Sequence, residues 1–231
     1  IMGGKNEHEL KARMEGFGLR RTQAEVGIGE PIYEILPLLI TEAQRRKVDR
    51  DIDARAVMAA VDAGATKALE MHLGPLRRLT GEIKARAVVE AVREEFESGL
   101  DKIVLMAWHT EVIRILTEGL SQFGVVGLDG STSADNRQRA VDRFRSDPAI
   151  RVFVGQIVAA GEAIDISAAA TLWFVESSFQ PAQMKQASLR VTNFGQTRQV
   201  VVRVCALEGS IDDALQTTLL RKWASIREVL E

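Results

Sequence analysis

The chain has 231 residues, of which 46% are hydrophobic and 27% are charged. This length allows one large domain, or one domain with a helical extension, and the apolar content is enough for a substantial core. Thirty basic residues against thirty-two acidic ones exclude a uniform nucleic-acid-coating surface but still allow a local basic groove.

Two further features bear on where the protein works. The single cysteine, Cys205, lies in an apolar run and cannot form an internal disulfide, which predicts an intracellular, cytoplasmic protein, associated with the nucleoid if it is bacterial. No apolar run approaches the roughly 20 residues that a membrane-spanning helix needs, so we expect no membrane partner. The chain starts at Ile1 followed by Met-Gly-Gly, which suggests a fragment of a longer protein.

The first hundred residues predict helices without strand–helix alternation. Residues 51–71 are rich in alanine, and Gly74-Pro75 is expected to stop their helix. Thr80 is expected to cap a further helix over about residues 82–98, whose apolar side chains form one stripe.

The stretch IYEILPLLI near the start of the chain contains a proline and is open to two interpretations, a short helix or an extended connector. We therefore predict a helical segment over residues 1–80 and a globular domain over residues 81–231.

After residue 101 the pattern changes to short apolar runs that alternate with amphipathic segments. The runs predict five strands, KIVLMAW, VVGLDG, RVFVGQI, TLWFVE and QVVVRVCAL. The predicted helices are 111–122, one from 131, one from Pro181 to before Gly195, and 211–230. This alternation predicts an α/β fold with a parallel, doubly wound sheet.

The segment QMKQASLRVTNFGQTRQV, residues 183–200, carries the most informative spacing. Gln186, Arg190 and Asn193 are four and three residues apart, so a helix would place them on one face. A cation there can neutralise charge on a transferring phosphoryl group. Asn193 stands where a second cation would strengthen such a site.

The chain lacks the motifs of a self-contained hydrolase. It has no Gly-x-x-x-x-Gly-Lys phosphate loop, no Gly-x-Gly-x-x-Gly after a strand and no Gly-x-Ser-x-Gly elbow. Its three histidines, His8, His72 and His109, are scattered and predict no metal site.

Four segments together resemble one family. KIVLMAWHTEVIRIL, GLDGSTSADNRQRAVDRF, VGQIVAAGEAIDISAA with VESSFQPAQMKQ, and QASLRVTNFGQTRQV follow the motif order of the second RecA-like lobe of Swi/Snf-type superfamily-two ATPases. Upstream, GFGLRRTQAEV followed by ILP resembles the end of the first lobe. WHTEV, DGSTS and TGEIKA are similar to the annealing-helicase (HARP-like) branch. The resemblance implies a RecA-like helicase C-terminal domain, preceded by the end of the first lobe and a linker.

The resemblance also implies roles in ATP binding. Arg190, with Gln186, would contact the γ-phosphate as an arginine finger, and Gly161 and Glu162 would line the ATP cleft. Asp165 would either bond the ribose or brace the loop. ATP would bind between this lobe and the first RecA-like lobe, which would supply the phosphate loop and hold Mg²⁺.

A second set of residues is expected to meet DNA. Gly130 ends a strand, and Ser131 and Thr132 then lead into a helix N-terminus, a place suited to a phosphate. Arg137 follows in the first turns, and by analogy Gln156 would face the DNA. The alternative is a well-capped helix with solvated arginines and no ligand.

The function implied is the second motor lobe of an ATP-dependent translocase or helicase on double-stranded or forked DNA, inactive without its first lobe. A degenerate, non-hydrolysing nucleic-acid-binding lobe is the alternative, motivated by Thr192, Asn193 and the alanines at 160 and 163. A third possibility is an RNA helicase lobe, because GEAIDI also resembles DEAD-box proteins.

Overall fold

The computed structural model describes residues 29–51, 53, 55–56, 59, 66–157, 164–178, 180–193 and 196–230. The strands are β1 (Ile32–Leu38), β2 (Ile103–Ala107), β3 (Val125–Leu128), β4 (Val152–Gln156), β5 (Thr171–Phe174) and β6 (Val201–Leu207). The helices are α1 (Glu42–Asp51), α2 (Thr66–Glu97), α3 (Thr110–Gly119), α4 (Ala134–Ser146), α5 (Pro181–Ser188) and α6 (Ile211–Leu230), with a short 3-10 turn at Ser121–Phe123. Among these helices none combines the length and the apolar character needed to cross a membrane.

The strands form one parallel sheet in the order β1-β6-β5-β2-β4-β3. Strand β2 is buried along its whole length, and its side chains alternate between two apolar clusters, one on each face. Helices α2 and α3 supply the first cluster, and α4 and α5 supply the second. The predicted doubly wound α/β fold is confirmed, with the five predicted strands at their expected places.

Of the two interpretations left open for Ile32–Leu38, the short helix is wrong and the extended one is nearer, because these residues form an edge strand parallel to β6. Arg203 of β6 donates to Glu34 of β1 at 2.6 Å and to Glu95 of α2 at 2.5 Å, so one guanidinium ties the edge strand to a helix. Pro37 is tolerated because an edge strand has one side that needs no ladder donors.

The predicted helix break at Gly74-Pro75 is also wrong, because α2 continues through both residues to Glu97. Thr80 is therefore inside the helix and donates from Oγ1 to the carbonyl of Leu76 at 2.9 Å instead of capping. The predicted apolar stripe is buried against the sheet, and this packing outweighs the local cost of a proline. The assignment of residues 1–80 to a first-lobe end and linker stays a prediction.

Candidate functional site

The predicted DNA-contacting residues gather where the parallel strands end. Gln156 is the last residue of β4, and Gly130 follows β3. His109 follows β2, and Glu176 follows β5. In open α/β sheets this carboxyl-end edge is where ligands bind.

Glu176 is the centre of this edge, and its side chain is 0% exposed. Its Oε2 accepts hydrogen bonds from the backbone amides of Trp108 at 2.7 Å and His109 at 2.8 Å. Its Oε1 lies 2.6 Å from Nδ1 of His109, within hydrogen-bond distance. The His109 side chain remains 30% exposed.

Gly81 of α2 makes room for this carboxylate. A Cβ at residue 81 would lie 2.4 Å from Oε1 of Glu176 and 3.1 Å from Cγ2 of Val112. We call Glu176, Trp108, His109 and Gly81 the Glu176 cluster. Sequence reasoning missed it, although a glutamate directly after a buried strand, in TLWFVE, was a usable signal.

Gln156 joins the loop after β3 to the Glu176 cluster. Its Oε1 accepts from the amide of Gly130 at 2.9 Å, and its Nε2 donates to the carbonyl of Trp108 at 2.9 Å. Two residues predicted from the sequence are thus brought into contact. A further contact with DNA stays a prediction for both.

The loop between β3 and α4 is organised by Asp129, which the sequence analysis did not single out. Oδ1 of Asp129 accepts from the amide and hydroxyl of Ser131, at 2.9 and 2.6 Å, and lies 3.1 Å from the hydroxyl of Thr132. These hydrogen bonds, from Ser131 above all, hold the pKa of the Asp129 carboxyl below its ordinary value. Arg137 donates to the carbonyl of Thr132 at 3.4 Å.

The predicted helical face of Gln186, Arg190 and Asn193 is wrong, because α5 ends at Ser188. Arg190 lies in a turn beyond it, where its amide donates to the carbonyl of Ala187 at 3.2 Å. Gln186 is an exposed residue of α5. The structure therefore does not place these three residues on one helical surface.

Tertiary hydrogen bonds hold the chain beyond the end of α5. The carbonyl of Arg190 accepts from the amide of Ile166 at 3.1 Å. Nε2 of Gln196 lies 3.3 Å from the carbonyl of Val191, 3.0 Å from that of Ser167 and 2.8 Å from that of Ala169. The carbonyls of Arg190 and Val191 are thus bonded outside α5. We call residues 189–193 the Arg190 turn.

Asp165 lies against this turn. Its Oδ1 accepts from the amide and hydroxyl of Ser167, at 3.1 and 2.6 Å, and its Oδ2 is 3.7 Å from Nη1 of Arg145. Partial burial acts to raise the pKa of the Asp165 carboxyl. Hydrogen bonds from Ser167 and from the Asn193 side chain, with the charge of Arg145, outweigh burial and lower this pKa. These contacts brace the loop at Asp165, and ribose binding by Asp165 stays a prediction.

Two predicted ATP-cleft residues, Gly161 and Glu162, lie outside the described residues, as do the alanines at 160 and 163. Within the described ranges no group of three or more histidine, cysteine or acidic side chains is arranged to hold a metal ion.

Known proteins share this sequence pattern and this fold. Residues 84–195 match the model described as the helicase conserved C-terminal domain. The C-terminal part of the Fun30 ATPase domain superposes with a TM-score of 0.64 at 16% identity, over 83% of this chain and 90% of that one. The Sulfolobus solfataricus SWI2/SNF2 ATPase core in complex with dsDNA gives 0.64 at 21% identity, over 94% of this chain and 50% of that one. This chain contains a helicase C-terminal domain over residues 84–195.

Curated relatives agree with this family. The human DNA annealing helicase and endonuclease ZRANB3 is 25% identical over 225 residues, which are 95% of this chain and 21% of that protein. The SWI/SNF-related matrix-associated actin-dependent regulator of chromatin subfamily A-like protein 1 of Xenopus tropicalis is 31% identical over 239 residues, which are 99% of this chain and 24% of that protein. The chain thus spans less than a quarter of each relative.

Proposed function

We propose that this Swi/Snf-type lobe is the second motor lobe of an intracellular, ATP-dependent DNA translocase or helicase. The observation that carries the proposal is the placement of its two candidate surfaces at opposite ends of β5. The Arg190 turn is hydrogen-bonded to Ile166, which precedes β5, and the Glu176 cluster lies where β5 ends. Four strand residues separate the two ends, roughly 13 Å at the usual rise per residue.

The Arg190 turn is suited to the nucleotide side of such a motor. Hydrogen bonds fix both the amide and the carbonyl of Arg190, so its guanidinium starts from a defined backbone position. When ATP is bound between the lobes, that cation would offset charge developing on the γ-phosphoryl group, with Mg²⁺ held by the first lobe. An arginine finger contributes roughly 10³- to 10⁵-fold in rate.

The edge of the sheet where the strands have their carboxyl ends is suited to binding DNA. The N-terminal end of α4 follows Gly130, Ser131 and Thr132, and Arg137 lies within its first turns. Helix N-termini and arginines bind phosphates without reading bases. Binding is therefore expected to depend strongly on salt and little on sequence.

The first test is Arg190→Ala in the full-length, two-lobe protein. We expect DNA-stimulated ATP hydrolysis to fall by at least about 10³-fold, while DNA affinity changes little. Arg46→Ala is a matched control, because Arg46 is an arginine of α1 with a side chain 78% exposed. Unchanged turnover in Arg190→Ala would remove the proposed role.

The second test is Arg137→Ala, which probes the DNA surface. We expect weaker binding to all duplex sequences alike, and a slope of log affinity against log salt that is shallower by about one. A change confined to one sequence, or an unchanged slope, contradicts phosphate contact by Arg137.

A degenerate, non-hydrolysing lobe is the second candidate, and one observation favours it. The position where a second cation would stand holds the neutral Asn193, which is hydrogen-bonded to Asp165. Such a protein would bind DNA without DNA-stimulated phosphate release from ATP. Measuring that release in the full-length protein separates the two candidates.

A further inference from the structure

The carboxylate of Asp165 is connected to the Arg190 turn along two routes. By accepting from the amide and hydroxyl of Ser167, it closes a short turn whose middle residue is Ile166. The amide of Ile166 then donates to the carbonyl of Arg190 at 3.1 Å. On the other side, the side chain of Asn193 bonds to the same carboxylate.

Both routes meet at the backbone that carries the Arg190 guanidinium. The route through Ile166 fixes the carbonyl of Arg190. The route through the Asn193 side chain fixes the chain three residues later. Among the described residues Arg145 also approaches Asp165, with its Nη1 3.7 Å away and its side chain 52% exposed. The protein itself thus supplies the partners of this carboxylate.

We propose that Asp165 is a positioning residue for Arg190, acting through the amide of Ile166 and the side chain of Asn193, and is not a nucleotide ligand. The inference rests on the proposed function, because it assumes that Arg190 contacts ATP. A second consequence concerns position 193. A cation introduced there stands beside Asp165, which captures it as an ion pair and withholds it from the nucleotide.

Steady-state ATP hydrolysis by the full-length protein at saturating duplex DNA tests the positioning role. Asp165→Ala is expected to lower kcat about 10- to 100-fold, while KM for ATP changes less than about twofold. The double variant Asp165→Ala/Arg190→Ala is expected to be no slower than Arg190→Ala alone, since both changes remove the same contact. A rise in KM with kcat preserved, or additive losses, overturns the inference.

Conservative and control variants keep this test specific. Asp165→Asn retains an oxygen that can accept from Ser167 and is expected to recover kcat to within about threefold of the wild type. Asp142→Ala removes an exposed carboxylate of α4 that accepts a hydrogen bond from Gln138, and is expected to leave kcat unchanged. Failure of Asp165→Asn to exceed Asp165→Ala contradicts the hydrogen-bond route.

Substitution at position 193 tests the second consequence. Asn193→Arg alone is expected not to raise kcat, whereas Asp165→Asn/Asn193→Arg is expected to exceed Asn193→Arg by about threefold or more, since the guanidinium loses its carboxylate partner. Equal kcat for these two variants overturns the capture of a cation by Asp165.

A readout independent of hydrolysis separates this inference from the proposed function. Hydrogen exchange at the Ile166 amide is expected to accelerate at least about tenfold in Asp165→Ala and to stay unchanged in Arg190→Ala. Unchanged exchange in Asp165→Ala overturns the positioning route even if ATP is hydrolysed. A wild-type protein without DNA-stimulated hydrolysis, or an active Arg190→Ala protein, overturns the proposed function instead, and positioning of Arg190 for ATP falls with it.

Discussion

The two ends of β5 each hold a carboxylate, and they hold it differently. Glu176, at the carboxyl end, is fully buried and takes two of its hydrogen bonds from backbone amides. Asp165, before the amino end, is 29% exposed on its side chain and takes most of its bonds from side chains. Backbone donors are present whatever the side chains are, so the first end is part of the folding framework. The hydrogen bonds at the amino end come mostly from side chains, which single substitutions can remove. We expect their removal to lower ATP turnover more than it lowers the stability of the fold.

The largest expected effect on stability is that of Glu176→Ala. It leaves the amides of Trp108 and His109 without their acceptor, and we expect a loss of about 3 kcal/mol in the free energy of unfolding. Urea denaturation measures it, with Asp142→Ala as a control expected to stay within about 0.5 kcal/mol. A loss below about 1 kcal/mol would show that Glu176 is not part of the framework.

Gly81→Ala is expected to come next. The added methyl group would lie 2.4 Å from Oε1 of Glu176, so the carboxylate or α2 must shift, at a cost of about 1–3 kcal/mol. Gly74→Ala is the matched control, because a Cβ there meets nothing within 4 Å. Glycine is a poor helix former, so the control is expected to be neutral or stabilising. Equal stability of the two variants contradicts the close approach of Glu176 to α2.

Asp165→Ala is expected to cost about 1 kcal/mol of stability, because its hydrogen bonds are partly exposed. Unlike Glu176→Ala, Asp165→Ala is expected to change the free energy of unfolding little while it lowers kcat strongly. A stability loss as large as that of Glu176→Ala would remove the difference between the two ends of β5.

The smallest effect is the pH dependence of the Asp165 end. A carboxyl whose folded-state pKa lies below its ordinary value of 3.8 stabilises the fold above that value and loses the contribution as pH falls through the folded-state pKa. The stability difference between wild type and Asp165→Asn is therefore expected to be full at pH 6–7 and to shrink below about pH 4. Urea denaturation of both proteins at pH 6–7 and below about pH 4 measures this difference. A stability difference that grows as the pH falls contradicts the lowered pKa of Asp165.

Local sequence patterns predicted much of this fold correctly. Apolar runs bounded by turn residues identified β2 to β6, since strands buried on both faces must be apolar throughout. The segments that resemble Swi/Snf-type lobes also led to Arg190, Asp165, Gly130 and Gln156. Of these, Gln156 and Gly130 do meet, and Asp165 does lie against the Arg190 turn.

The errors share a physical cause, which is a partner far away in the sequence. Residues 32–38 become a strand because β6, 169 residues later, offers them an edge. Helix α2 passes through Pro75 because its apolar stripe is buried against the sheet. Helix α5 stops at Ser188, and the carbonyl of Arg190 next to it is bonded to Ile166.

The sequence by itself thus determined the alternation of strands and helices after residue 101, the parallel sheet and the family, because these depend on local periodicity and on short motifs. Tertiary structure alone decided what each polar side chain does. It paired Glu176 with His109 across 67 positions, and it placed Asn193 on Asp165. Hydrogen bonds need a partner within about 3 Å, and no local pattern states which distant residue the fold brings that close.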